Sequence, residues 1–113
     1  MHVKGNIFAA VPANSAEELF ETILERSGVR IERIISCGQS TPVGEWYDQE
    51  QDEWVLLISG SADLLIEGES EPRQLLPGDY LLLPARCRHR VDRTDTEEKT
   101  IWLAIHVGSD LNT

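Results

Sequence analysis

Ala16, Leu19, Phe20, Ile23 and Leu24 recur at i, i+3, i+4, i+7 and i+8, a single apolar stripe of helical period. Glu17, Glu18, Glu21 and Glu25 take the opposite face. Ser15 with Glu18 three residues on forms a capping box, Arg26 suits a last turn and Gly28 a stop. The spacing predicts one amphipathic helix over 15–27. Beyond Gly28 the period changes to two. Short β-branched or apolar runs fall at 29–36, 45–49, 54–59, 62–67, 73–76, 80–83, 88–93 and 99–107, separated by Gly, Pro and acidic turns. A break near Arg33–Ile34 suggests a bulge in the first of them. About eight short strands at this spacing predict an all-β sandwich or barrel over about 29–107.

Three of these runs are apolar on both faces: 54–58, 80–83 and 101–105. A strand half-open to water would alternate. One face can line a barrel; the other needs a cover, and a helix about 18 Å long covers only part of it. A partner subunit is therefore expected over the rest, most simply as a twofold homodimer.

The chain has 113 residues, 41% hydrophobic and 27% charged, which suits one globular domain with a core of its own. Twenty acids against ten Lys and Arg leave a net charge of −10, which disfavours nucleic acid and anionic membrane surfaces as partners. No apolar run approaches the roughly 18 residues of a membrane helix. The apolar patch at 7–11 leads straight into the capped helix, so no signal peptide is read. Cys37 and Cys87 make no disulfide framework, and free thiols in a cytoplasmic setting are expected.

Candidate chemistry gathers in two places. Glu53 shares parity with Val55 and Leu57, which puts a carboxylate on an otherwise apolar inward face. Upstream, Tyr47 and Gln49 match that parity, with Trp46 and Asp48 as the alternative inward pair. His89 shares parity with Val91 and faces inward by the same logic, as a ligand or base or as a structural imidazole bonded to a carbonyl. The acidic run 48–53 begins like a calcium loop, but Glu53 stands where that loop needs glycine, so an EF-hand is rejected. Arg86, Arg88, Arg90 and Arg93 are half of the arginines. They form either an anion-binding rim beside His89 or outward partners for acids across the sheet, Arg86 lying in the loop at the expected barrel mouth. Cys87 shares the parity of His89, without a base to activate it.

Gly78-x5-Pro84-x-Arg86-x2-His89-x3-Arg93 and Glu53-x6-Gly60 resemble the two motifs of the cupin superfamily, G-x5-P-x-G-x2-H-x3-N and G-x5-H-x-H-x3-or-4-E-x6-G. Arg86 replaces a motif glycine and Arg93 an asparagine; the histidine pair is absent, with Tyr47 and Gln49, or Trp46 and Asp48, in its place. The runs 45–49, 52–55 and 77–80 look like those of small bacterial single-domain cupins. The resemblance implies a jelly-roll, or double-stranded β-helix, barrel with the helix packed outside. It implies one divalent metal (Fe, Mn, Ni or Zn) on Glu53 and His89, with Gln49 as a further oxygen donor and Tyr47, Asp48 and Arg86 beside a ligand. His106 on the last run could also reach inward, outside the motif.

The expected pocket is lined by Val55, Leu57, Leu64 and Val91, with Glu53, His89 and Gln49 as its polar groups. The expected function is binding of a divalent metal, of a small polar or anionic ligand, or of both, with no reaction assigned. The alternatives are a metal-dependent enzyme (oxygenation, isomerisation or decarboxylation, with Arg86 orienting substrate) and a degenerate cupin with a structural or regulatory role.

Overall fold

In the computed structural model, which describes residues 2–108, every regular element is a strand. They are β1 (Leu19–Arg26), β2 (Val29–Ser36), β3 (Asp52–Ser59), β4 (Ala62–Ile66), β5 (Arg73–Leu75), β6 (Tyr80–Leu83), β7 (His89–Thr94) and β8 (Thr100–Val107). All pairings are antiparallel and form two sheets, β1-β2-β8-β3-β6 and β5-β4-β7. The core lies between them. Val55, Leu57, Leu83, Trp102 and Ala104 of the large sheet meet Ala62, Leu64 and Leu75 of the small one, all 5% exposed or less. No ladder among the named strands joins the two sheets, so the barrel is an open one.

The helix over 15–27 does not form; 19–26 is the edge strand β1. The reason lies in its pairing. Register against β2 runs regularly from Leu19↔Ile35 to Thr22↔Glu32, then shifts so that Leu24 opposes Ile31. The extra residue, Ile23, breaks the alternation and places apolar residues at the three- and four-residue spacings of a helix. Pairing along β2 then overrides helix propensity, a weak preference in any tertiary context. Gly28, at φ +80°, is the turn of the β1–β2 hairpin rather than a helix stop. Ser15 donates to the carbonyl of Glu17, and Glu18 accepts from the Ser36 hydroxyl, so the two make no capping box. The bulge expected near Arg33–Ile34 is also absent: β2 pairs with β8 without a shift from Val29 to Ser36.

Two motif glycines have clear causes. Gly60 sits at φ +83°, and a Cβ there would lie 2.6 Å from Thr100 Cα, so the β3–β4 turn admits nothing larger. Gly78, at φ +94°, donates its amide to Leu57 O at 2.8 Å and pins the turn into β6 against β3. Arg86, where the motif has glycine, keeps a glycine-like backbone at φ +65°.

Candidate functional site

Alternation along β3 sends Glu53, Val55 and Leu57 inward. Glu53 is 6% exposed, and burial of a carboxylate demands partners. Register supplies them: Glu53 opposes His106 on β8 and Leu83 on β6. His89, at the start of β7, approaches from the small sheet with Nε2 3.5 Å from Glu53 Oε1. Its Nδ1 lies 2.9 Å from Cys87 O; a carbonyl only accepts, so Nδ1 carries a proton. Nε2 then faces a carboxylate, an arrangement that favours a proton between the two. Burial opposes a charged His89 ring, but the Glu53 contact and the Cys87 carbonyl together carry its pKa above the ordinary value.

Residues 45–49 form no strand but make one bridge, Tyr47 to His89, with Tyr47 N donating to His89 O at 2.7 Å. The bridge stacks the Tyr47 ring on the His89 imidazole, centroids 5.4 Å apart. It also decides which parity faces in. Tyr47 and Gln49 line the cavity, whereas Trp46 lies beneath the guanidinium groups of Arg88 and Arg90. Asp48 faces out to pair with Arg86, Oδ1 to Nε 3.0 Å. Burial, with the charges of Glu18 and Glu53, pushes the Tyr47 phenol up, so it stays protonated. The Gln49 side-chain oxygen is buried without a hydrogen-bond partner.

The cavity is small and open at its mouth, with room for the centres of water-sized molecules over about 70 Å3. Val55, Leu64, Leu83, Val91, Ile34, Phe20 and Trp102 give it apolar walls. Glu53, His89, Gln49 and Tyr47 are joined there by Glu18, Glu32 and His106. His106 is 2% exposed; its Nε2 lies 2.8 Å from Glu32 Oε1 and 3.9 Å from Glu53 Oε2, and its Nδ1 has no partner. Two histidine–carboxylate pairs thus meet at Glu53. Burial holds the Glu18 carboxyl above its ordinary range, partly offset by the bond from Ser36.

Glu53, His89, Gln49 and Tyr47 are therefore brought together, and Asp48 and Arg86 are not: both are exposed and lie outside the cavity lining. Leu57 is fully buried in the core beside it. The arginine run is matched acid by acid, Arg88 to Glu67 at 2.9 Å, Arg90 to Asp92 at 2.7 Å and Arg93 to Asp63 at 3.1 Å. Sequence reasoning missed Glu32 and Glu18 and gave His106 too little weight. Trp102, Ala104 and His106 share one parity, as do Ile34 and Glu32, and that was the available signal. Glu18 was hidden by the helical reading.

Residues 37–106 match the sequence profile of the cupin domain. The chain belongs to the cupin superfamily. Among solved structures it is similar to a provisionally named mannose-6-phosphate isomerase of Ralstonia eutropha JMP134, at 54% identity and TM-score 0.92 over 94% of this chain and 98% of that one. A cupin superfamily protein of Desulfitobacterium hafniense DCB-2 shares the fold at 19% identity and TM-score 0.70, covering 86% and 83% of the two chains. The DMSP lyase DddQ of Ruegeria pomeroyi DSS-3 matches at 25% identity and TM-score 0.64, over 78% of this chain and 42% of that one. No protein of curated function matches the sequence.

The metal that cupins often carry finds a reduced donor set here. Tyr47 and Gln49 stand at the histidine positions, and His106 is turned to Glu32. Among the described residues no three His, Cys, Asp or Glu side chains are grouped as a metal ion needs. As arranged, Glu53 and His89 supply an incomplete donor set for a metal.

Proposed function

We propose that this cupin binds a small molecule in the cavity between its sheets, with Glu53, His89 and Gln49 as the polar contacts. One observation carries the reading: a buried carboxylate shared by two imidazoles and a buried amide oxygen with no donor line one cavity, whose remaining walls are largely apolar. Convergent polar groups in a concavity with apolar walls are the usual make-up of a ligand site. Glu53 and His89 can pass a proton between them and could serve acid–base chemistry on a bound molecule. The name of the Ralstonia relative suggests isomerisation of a phosphorylated sugar. No Lys or Arg among the lining residues favours the phosphate half of that name, so the reaction is not adopted. A thermal-shift screen of wild type beside Glu53→Gln tests the reading: compounds should stabilise the wild type and lose that effect in the variant. Stabilisation that survives Glu53→Gln would place the ligand elsewhere.

A divalent metal (Fe, Mn, Ni or Zn) on Glu53, His89 and Gln49 is the second reading, favoured by the unpartnered Gln49 oxygen. It would need His106 or a further donor to complete the set. Elemental analysis of untagged protein decides it: near-stoichiometric metal, lost in Glu53→Ala and His89→Ala, supports a metal centre, and none after reconstitution ends it.

A homodimer and a cytoplasmic setting belong to the same proposal. Trp54, Leu56, Leu103 and Ile105 form an outward apolar face with Tyr80 and Leu82, the last two 66% and 57% exposed. A second copy of this chain would cover it. A monomer by light scattering at high concentration would contradict the dimer. Cys37 and Cys87 are free thiols, in keeping with a reducing compartment.

A further inference from the structure

The charges around the cavity give its ligand a sign, and the argument rests on the cavity being the ligand site. Three carboxylates line it, Glu18, Glu32 and Glu53, and no lysine or arginine does. Arg30 comes within 3.7 Å of Glu32 through Nε but is not a lining side chain. The four arginines of the 86–93 run are each held by an acid outside. Glu32 is thus met by Arg30 and His106, and Glu53 by His89 and, at 3.9 Å, His106. Glu18 has the Ser36 hydroxyl and no cation.

Of the three buried side-chain atoms without a hydrogen-bond partner among the described residues, Gln49 Oε1 and His106 Nδ1 belong to cavity-lining side chains and the donor Arg30 Nε does not. The Gln49 oxygen is a buried acceptor without a donor. The His106 Nδ1 is a second buried cavity atom without a partner. The cavity therefore sets three carboxylates and an orphaned acceptor against the one proton that His89 and Glu53 share, and offers the rings of Phe20, Tyr47 and Trp102 among its walls. We propose that the cavity takes a compact organic cation, an ammonium or guanidinium group, in preference to a phosphorylated or carboxylated molecule. The N–H groups of such a cation answer the orphaned Gln49 oxygen and add to the donors on Glu53, its charge answers Glu18, and aromatic faces add to its hold. An anion in the same place would set like charge against three carboxylates in a low-dielectric enclosure. A neutral polyol would satisfy the acceptor and leave the charge unanswered.

The test is titration calorimetry on the full chain. Ethanolamine, choline and agmatine are the cation probes, mannose the neutral one, mannose 6-phosphate the anionic one, and Mn2+ and Zn2+ the metals. At least one organic cation should bind with Kd below about 1 mM, and weaken about tenfold or more in Glu53→Gln and in Glu18→Gln. Added salt should weaken it further, and Arg86→Ala should leave it unchanged. Glu18→Gln keeps the test open should Glu53→Gln fail to fold. Tighter binding of mannose or mannose 6-phosphate, lost in Glu53→Gln, would overturn the cation and leave the cavity as a ligand site. Binding of metal alone would overturn it as well. Absence of any binding would remove both the cation and the ligand-site reading.

Discussion

Two stretches of this chain carry chemically loaded side chains at alternate positions, and the fold treats them oppositely. From 47 to 53 the odd positions Tyr47, Gln49 and Glu53 enter the cavity. From 86 to 93 the arginines stay outside, each paired to an acid, and from that stretch only His89 and Val91 line the cavity. Charge density in sequence is thus a poor guide to the site. Parity against buried Val55 and Val91 is a good one, because strand geometry leaves each side chain only two directions. The inner groups are few and share partners, so each should be costly to remove. Of the outer ones, Arg86, Arg88 and Arg93 are exposed and should be cheap, whereas Arg90 is mostly buried and also holds the Thr41 carbonyl.

The sharpest way to break that contrast is to delete an inner partner. His106→Ala leaves Glu32 without its imidazole and opens a void on the inner face of β8, and should cost about 3 kcal/mol or more in urea unfolding. A cost no larger than a surface substitution would dissolve the distinction.

A smaller effect should appear in pH dependence. The folded pKa of His89 is raised above 6.5, so its contribution to stability is full below that value and lost as pH rises through the folded one. Glu18 acts in the same direction: with its folded pKa raised above 4.5, its contribution also falls as pH rises. Stability should therefore decline from mildly acidic to mildly alkaline pH, and His89→Gln should flatten the upper part of that decline in thermal melts. A melting temperature that rises across this range would contradict the pairing.

The smallest effect is expected at the rim. Arg86→Gly relieves a left-handed backbone and gives up an exposed ion pair, two terms that nearly cancel, and should change stability by no more than about 0.5 kcal/mol. A loss several times larger would mean that the arginine run has a structural role its exposure hides.

The same contrast explains what could be read from the sequence. The strands from 29 onward were legible because β3, β6 and β8 keep strict alternation or continuous apolar character, and the Gly60 and Gly78 turns fall where motif and pattern both put them. The segment 19–26 was not legible, because one bulged residue mimics a helical stripe and only pairing with β2 reveals it. Glu53, His89, Gln49 and Tyr47 could be placed by parity within their own stretches. Glu32 and His106 could not be joined to them, because their meeting depends on register between β2, β8 and β3, which no local pattern encodes. The acidic sign of the cavity went unread for the same reason, and the arginine run suggested the opposite sign.

The central claim is that Glu53 and His89 form one proton-sharing pair facing the cavity. Titration of the His89 imidazole by NMR in chelator-treated protein, wild type beside Glu53→Gln, tests it most directly. The account predicts a wild-type midpoint above 6.5 that falls when the Glu53 charge is removed. A midpoint at or below 6.5 that does not move in Glu53→Gln would contradict it.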